Sequence, residues 1–157
     1  MAVSPSVQTI GTKEAERLLG RNTHNRNLWE HRISNLAREM SEGRWSLNGE
    51  TIKLNGDGTL LDGQHRLAAV IKSGVTVPFL VVTGLKTADQ DTMDHGLNRT
   101  ASNILDIRGE PKPVLIAGSC LLAWRIDNGA PLQGGGVPYP SAPEVFQYLD
   151  EHTEIRM

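Results

Sequence analysis

Apolar residues recur at helical spacing most clearly at Trp29, Ile33, Leu36, Ala37 and Met40, with Gly43 placed to close the helix. A shorter helix precedes it, opening after a polar lead: Thr12 is its expected cap, Ala15, Leu18 and Leu19 share a face, and Gly20 ends it. The pattern then changes to alternation. Ile52 and Leu54 alternate with polar neighbours, Asn55-Gly56-Asp57-Gly58 supplies residues that tolerate a turn, and Thr59-Leu60-Leu61 resumes the extended pattern. This predicts a hairpin, and Trp45 is expected to cover it.

Leu67 to Ser73 reads as a helix ended by Gly74, and Val77 to Val82 as a buried strand with Pro78 near its start or at an edge. Helical segments follow around Thr87 to Met93, from about Ser102 through Ile104 and Leu105, and across Val114 to Ile126, where Asp127-Asn128-Gly129 stops the last. Residues 130 to 140 hold three consecutive glycines and three prolines, a linker composition. Ser141-Ala142-Pro143-Glu144 has the form of a capping box that opens a helix through Val145, Phe146 and Leu149. That helix is barely complete at Met157, so a longer protein is expected.

These elements give an α+β fold: a small mixed sheet flanked by helices, with a helical C-terminal region. At 157 residues the chain can bury a core without disulfides or metals. The formal charge of -2 argues against gripping nucleic acid by charge alone, so any DNA contact needs a local patch or a further segment. The single cysteine, Cys120, rules out an intramolecular disulfide and is expected to be a packed thiol. The five histidines show no metal-ligand spacing, so no metal site is expected. Trp29 and Trp124 are expected to be core anchors. No signal peptide and no run of roughly 20 apolar residues is present, which excludes neither partner nor substrate but predicts a cytoplasmic protein without a membrane segment.

The passage Asp62-Gly63-Gln64-His65-Arg66 runs from strand to helix, where free backbone N–H groups and a partial positive charge favour an anion. Gly63 lets backbone approach closely, Arg66 adds a planar fork of donors, His65 a ring donor, and Gln64 a group for a ribose or base edge. Asp62 can orient Arg66 or hold a cation already bound to phosphates. An ordinary strand-to-helix connection with Asp62 as N-cap fits the same residues.

Leu61-Asp62-Gly63-Gln64-His65-Arg66-Leu67-Ala68-Ala69 resembles the phosphate-binding motif of the ParB/sulfiredoxin superfamily, in the Asp-Gly-Gln-His-Arg form found in phage and bacterial ParB-like proteins. The resemblance runs over roughly residues 7 to 110. The loop Asn22 to Arg26 resembles the polar loop before the family's first helix, which adds Asn25 and Arg26 to the site. Gly96-Leu97-Asn98-Arg99 resembles a second phosphate motif, which adds Asn98 and Arg99, with Asp94 as the nearest acid. Sulfiredoxin carries its cysteine inside the phosphate motif, where this chain has Gln64-His65, so sulfinic acid repair is not implied.

The resemblance implies a nucleotide-binding domain over 1–110 and a helical extension over 111–157. It implies a nucleoside triphosphate ligand, CTP or ATP, with Mg²⁺. It further implies a protein of a DNA-associated process whose conformational or homodimeric state is switched by the nucleotide, with slow NTPase activity in which Asp62 and Arg66 act. Phosphotransfer to a small molecule or modified base is the competing enzyme reading, and nuclease activity is a third.

Overall fold

The computed structural model describes residues 2–22, 25, 27–93, 100–129 and 139–156. The chain divides into two compact units, Met1–His95 and Gly96–Met157.

The first unit is α+β. Its strands are β1 (Ser4–Ile10), β2 (Thr51–Asn55), β3 (Leu60–Asp62) and β4 (Val77–Leu85), and its helices are α1 (Thr12–Leu19), α2 (Glu30–Ser41) and α3 (Gln64–Ser73). The sheet order is β1-β4-β2-β3. β1 runs antiparallel to β4, β4 parallel to β2, and β2 antiparallel to β3. The parallel pairing requires a crossover, and α3 supplies it. One face of the sheet presents Ile52, Leu54, Phe79 and Val81 to Ala15 and Leu18 of α1, Ile33, Ala37 and Met40 of α2, and Leu67 and Val70 of α3. Alternation along β4 places Val77, Phe79 and Val81 inward, as the two-residue period of a strand demands.

The hairpin, α2, α3 and the β4 strand lie where the sequence places them, and Pro78 is the second residue of β4. Four details differ. Residues 4 to 10, read as a polar lead, form the edge strand β1, of which Ile10 alone is buried. An edge strand with one buried side chain carries almost no hydrophobic signal, and Pro5 is tolerated there because edges need fewer N–H donors. Thr12 is the first helical residue of α1, with Gly11 as N-cap. Trp29 is the N-cap of α2 and is 49% exposed, so it is not a core anchor. Trp45 lies on Phe79, with ring centroids 5.0 Å apart, and its indole N–H donates to the Pro78 carbonyl at 3.0 Å, so its ring and N–H engage β4, the strand beside the hairpin.

The second unit is helical, with α4 (Ala101–Ile107), α5 (Pro113–Asp127), α6 (Ala142–Glu151) and a closing 3₁₀ turn at Thr153–Arg156. α4 opens with a capping box of Thr100 and Asn103, and α6 opens with the expected one of Ser141 and Glu144. Leu105, Ile116, Cys120, Val145, Phe146, Tyr148 and Leu149 form its core, with Trp124 partly buried against it. α4 packs on α5, so the division of the chain falls at His95/Gly96, ahead of the boundary near 110 suggested by the sequence. Burial pushes the Cys120 thiol pKa up, which keeps it in the unreactive form. Most of the expected linker, residues 130 to 138, lies outside the described residues.

Candidate functional site

β3 ends at Asp62 and α3 begins at Gln64, so a single residue, Gly63, makes the reversal. Gly63 has φ of 106°, in the left-handed region where a side chain is costly. A Cβ there would also stand 2.5 Å from Ile52 Cδ1 and 3.2 Å from Ile52 Cα. The glycine is therefore demanded by the fold: it lets the turn pass directly over β2, independently of any ligand.

The charged groups of the motif form a compact cluster. Asp62 accepts from the Gly63 N–H at 2.7 Å through Oδ1, and Lys53 Nζ pairs with its Oδ2 at 3.0 Å. Lys53 stands opposite Asp62 in the hairpin register, which is how the strand pairing selects this lysine. Arg66, with an 11% exposed side chain, donates from Nη1 to the Thr51 carbonyl at 3.1 Å. Its Nη2 pairs with Glu50 Oε2 at 2.5 Å, and its Nη1 lies 3.8 Å from Asp62 Oδ1. The expected orientation of Arg66 by Asp62 is thus present, with Glu50 and Thr51 as further partners. Two cations and two carboxylates balance, so extra positive charge for an anion comes from the α3 N-terminus.

Gln64 and His65 face inward, 4% and 5% exposed. Nε2 of His65 accepts the Trp29 backbone N–H at 3.0 Å, so the ring N–H that His65 can donate is at Nδ1. Gln64 Oε1 accepts from Asn22 Nδ2 at 2.9 Å, which joins the motif to the preceding polar loop. Asn25 continues the chain of amides: its Nδ2 donates to Asn22 Oδ1 and to the Leu60 carbonyl at 2.9 Å. Gln90, in the 3₁₀ turn Thr87–Thr92, donates to Asn25 Oδ1 at 2.9 Å and to the Leu61 carbonyl at 3.1 Å.

The structure therefore brings Asp62, Gly63, Gln64, His65, Arg66 and Asn25 into one neighbourhood. Arg26, Asp94, Asn98 and Arg99 lie outside the described residues. Sequence reading did not single out Glu50, Lys53 or Gln90. Lys53 was accessible in principle, as the polar position opposite Asp62 in the hairpin, whereas Gln90 gave no local signal because its partners are remote in sequence.

At the start of α3 the helix turns its first-turn N–H groups outward along its axis, Gly63 brings no capping side chain, and the first turn holds no acidic residue. This is the electrostatic form of an anion-receiving helix end. Among the described residues no group of three His, Cys, Asp or Glu side chains could hold a metal ion. Mg²⁺ fits only as a companion of phosphate oxygens, with Asp62 the carboxylate nearest that helix end. Among the described residues no helix is long and apolar enough to cross a membrane.

No family model matches the chain, and no curated protein matches it. Among solved structures it is similar to a Pnob8-like ParB-N domain, with 15% identity and a TM-score of 0.34, over 98% of this chain and 64% of that one. The chain thus spans less than two thirds of the length of that domain's chain.

Proposed function

We propose that this chain is a ParB-like nucleoside-triphosphate-binding protein whose phosphates sit over the N-terminus of α3, with Mg²⁺ carried by the phosphates. The observation that carries the reading is the α3 entrance, a helix N-terminus with no capping side chain and no acid in its first turn, which holds Arg66. The motif resemblance over Leu61 to Ala69 supports the same assignment. Binding would shift the conformational or oligomeric state of a protein acting in a DNA-associated process, with slow hydrolysis. Asn25, tied to Asn22 and to the Leu60 carbonyl, is proposed to border the phosphate site.

The test is a binding panel of ATP, CTP, GTP and UTP with Mg²⁺, run beside inorganic tripolyphosphate and followed by phosphate-release assays with and without DNA. The expected result is saturable binding of at least one nucleotide with slow or DNA-stimulated hydrolysis. Turnover that demands a small-molecule acceptor favours the phosphotransferase, and DNA cleavage without nucleotide favours the nuclease. Absence of binding to every nucleotide and to tripolyphosphate overturns the proposal.

A further inference from the structure

The three tryptophans occupy different environments. Trp45 lies against Phe79 and Trp124 against the helical core, whereas Trp29 leaves 49% of its surface to solvent. An exposed indole is an unusual use of the largest apolar side chain in a chain that is only 4% aromatic. Its position is fixed from two directions. The Trp29 backbone N–H is held by Nε2 of His65 at 3.0 Å, and the indole and His65 ring centroids lie 6.3 Å apart at 63°. His31 stacks along the indole at 6.0 Å and 19°, extending the aromatic surface.

His65 is the second residue of α3. The indole is therefore anchored beside the first turn of the helix whose N–H groups are assigned to phosphate. Extended backbone at Trp29, with φ of -101° and ψ of 108°, makes it the last residue before α2, so the ring stands at a helix end. A flat π surface next to an anion-receiving helix end is the pair of features that a nucleotide, with a base at one end and phosphates at the other, can engage together.

We propose that Trp29 is the stacking platform for the base of the bound nucleoside triphosphate, an inference that rests on the nucleotide reading above. Stacking requires only a π face, so Trp29 contributes affinity to every base and little discrimination among them. Base stacking on an aromatic side chain corresponds to roughly a five- to 150-fold gain in affinity.

The experiment compares wild type, Trp29→Ala and Trp29→Phe, with circular dichroism as the check on folding. Truncating a half-exposed side chain leaves the backbone N–H to His65 in place, so the fold is expected to survive. Each protein is titrated with the best-binding nucleotide and, separately, with inorganic tripolyphosphate, which has no base. Trp29→Ala should lose about five- to 150-fold in nucleotide affinity while tripolyphosphate affinity stays unchanged, and Trp29→Phe should restore most of the loss. Nucleotide should also quench wild-type indole fluorescence, with the quenching absent from Trp29→Phe. Unchanged nucleotide affinity in Trp29→Ala, or equal weakening of nucleotide and tripolyphosphate, overturns the platform while leaving the phosphate site standing. A wild type that binds neither probe overturns both readings, and weakened single-stranded oligonucleotide binding with unchanged free nucleotide assigns the indole to nucleic acid instead.

Discussion

The backbone N–H of Trp29 donates to Nε2 of His65 at 3.0 Å, tying the start of α2 to the first turn of α3. A motif histidine that could have faced a ligand is thus spent in part on holding two helices together. His65→Ala removes a buried acceptor and leaves that amide unsatisfied, which costs about 1–3 kcal/mol. The expected outcome is a lower urea midpoint with an unchanged m value, and tripolyphosphate binding retained by the folded protein. A change within about 0.5 kcal/mol, the range of ordinary surface substitutions, would remove His65 from this role.

Arg66 is shared between the fold and any anion. Its contacts to Thr51, Glu50 and Asp62 mean that Arg66→Ala should lower stability as well as phosphate affinity, so it cannot serve alone as a test of binding. Glu50→Gln separates the two. Removing this solvent-facing carboxylate costs at most about 1 kcal/mol of stability and releases Arg66 from a competing charge. Triphosphate affinity should therefore rise about two- to fivefold, measured by calorimetric titration at fixed salt. Unchanged or weaker binding would place Arg66 outside the anion site.

Gly63 makes the sharpest statement about the fold. Its φ of 106° and the 2.5 Å approach of a hypothetical Cβ to Ile52 Cδ1 predict that Gly63→Ala loses at least about 1–3 kcal/mol and that Gly63→Val fails to fold. Thermal unfolding of the alanine variant checks this, and wild-type stability in Gly63→Ala would contradict the packing of the turn on β2.

The elements with dense local signals were legible in sequence: α2 from its heptad-like apolar spacing, the hairpin from Asn55 to Gly58, and the α6 start from Ser141 and Glu144. β1 was not, because its register with Val77 to Thr83 is a contact across some seventy residues that leaves a single buried side chain. The site shows the same division. Asp62 to Arg66 could be read as one strand-to-helix passage, but the direction of each side chain could not. Helical geometry turns Gln64 and His65 inward and leaves Arg66 beside β2, and only the packing of α2 on α3 decides that. Trp29 was read as core because it fits the helical period, although it lies one residue before the helix, where that period no longer fixes its direction.

In the helical unit, the Tyr148 hydroxyl donates to Asp127 Oδ2 at 2.5 Å, and this bond to a carboxylate is the main reason its pKa is pushed up to about 12. A folded-state pKa above the unfolded value of 10 means that the neutral hydroxyl is the stabilised form. The contribution is complete below pH 10 and fades as pH rises toward 12. Ultraviolet difference absorbance should show tyrosinate from Tyr148 forming late in the folded protein, and Asp127→Asn should bring that step to lower pH. Coincident titration in both proteins would contradict the pairing.

Backbone amide NMR spectra recorded while inorganic tripolyphosphate and then the preferred nucleotide are added with Mg²⁺ test the α3 entrance most directly. The amides of Gln64, His65 and Arg66 should shift most with tripolyphosphate, because phosphate docks at the N-terminal end of a helix through its first turn. The nucleotide should add a shift at the Trp29 indole N–H. Saturable binding that leaves residues 64 to 66 unperturbed, with the largest shifts elsewhere in the chain, would contradict the assignment of phosphate to the N-terminus of α3.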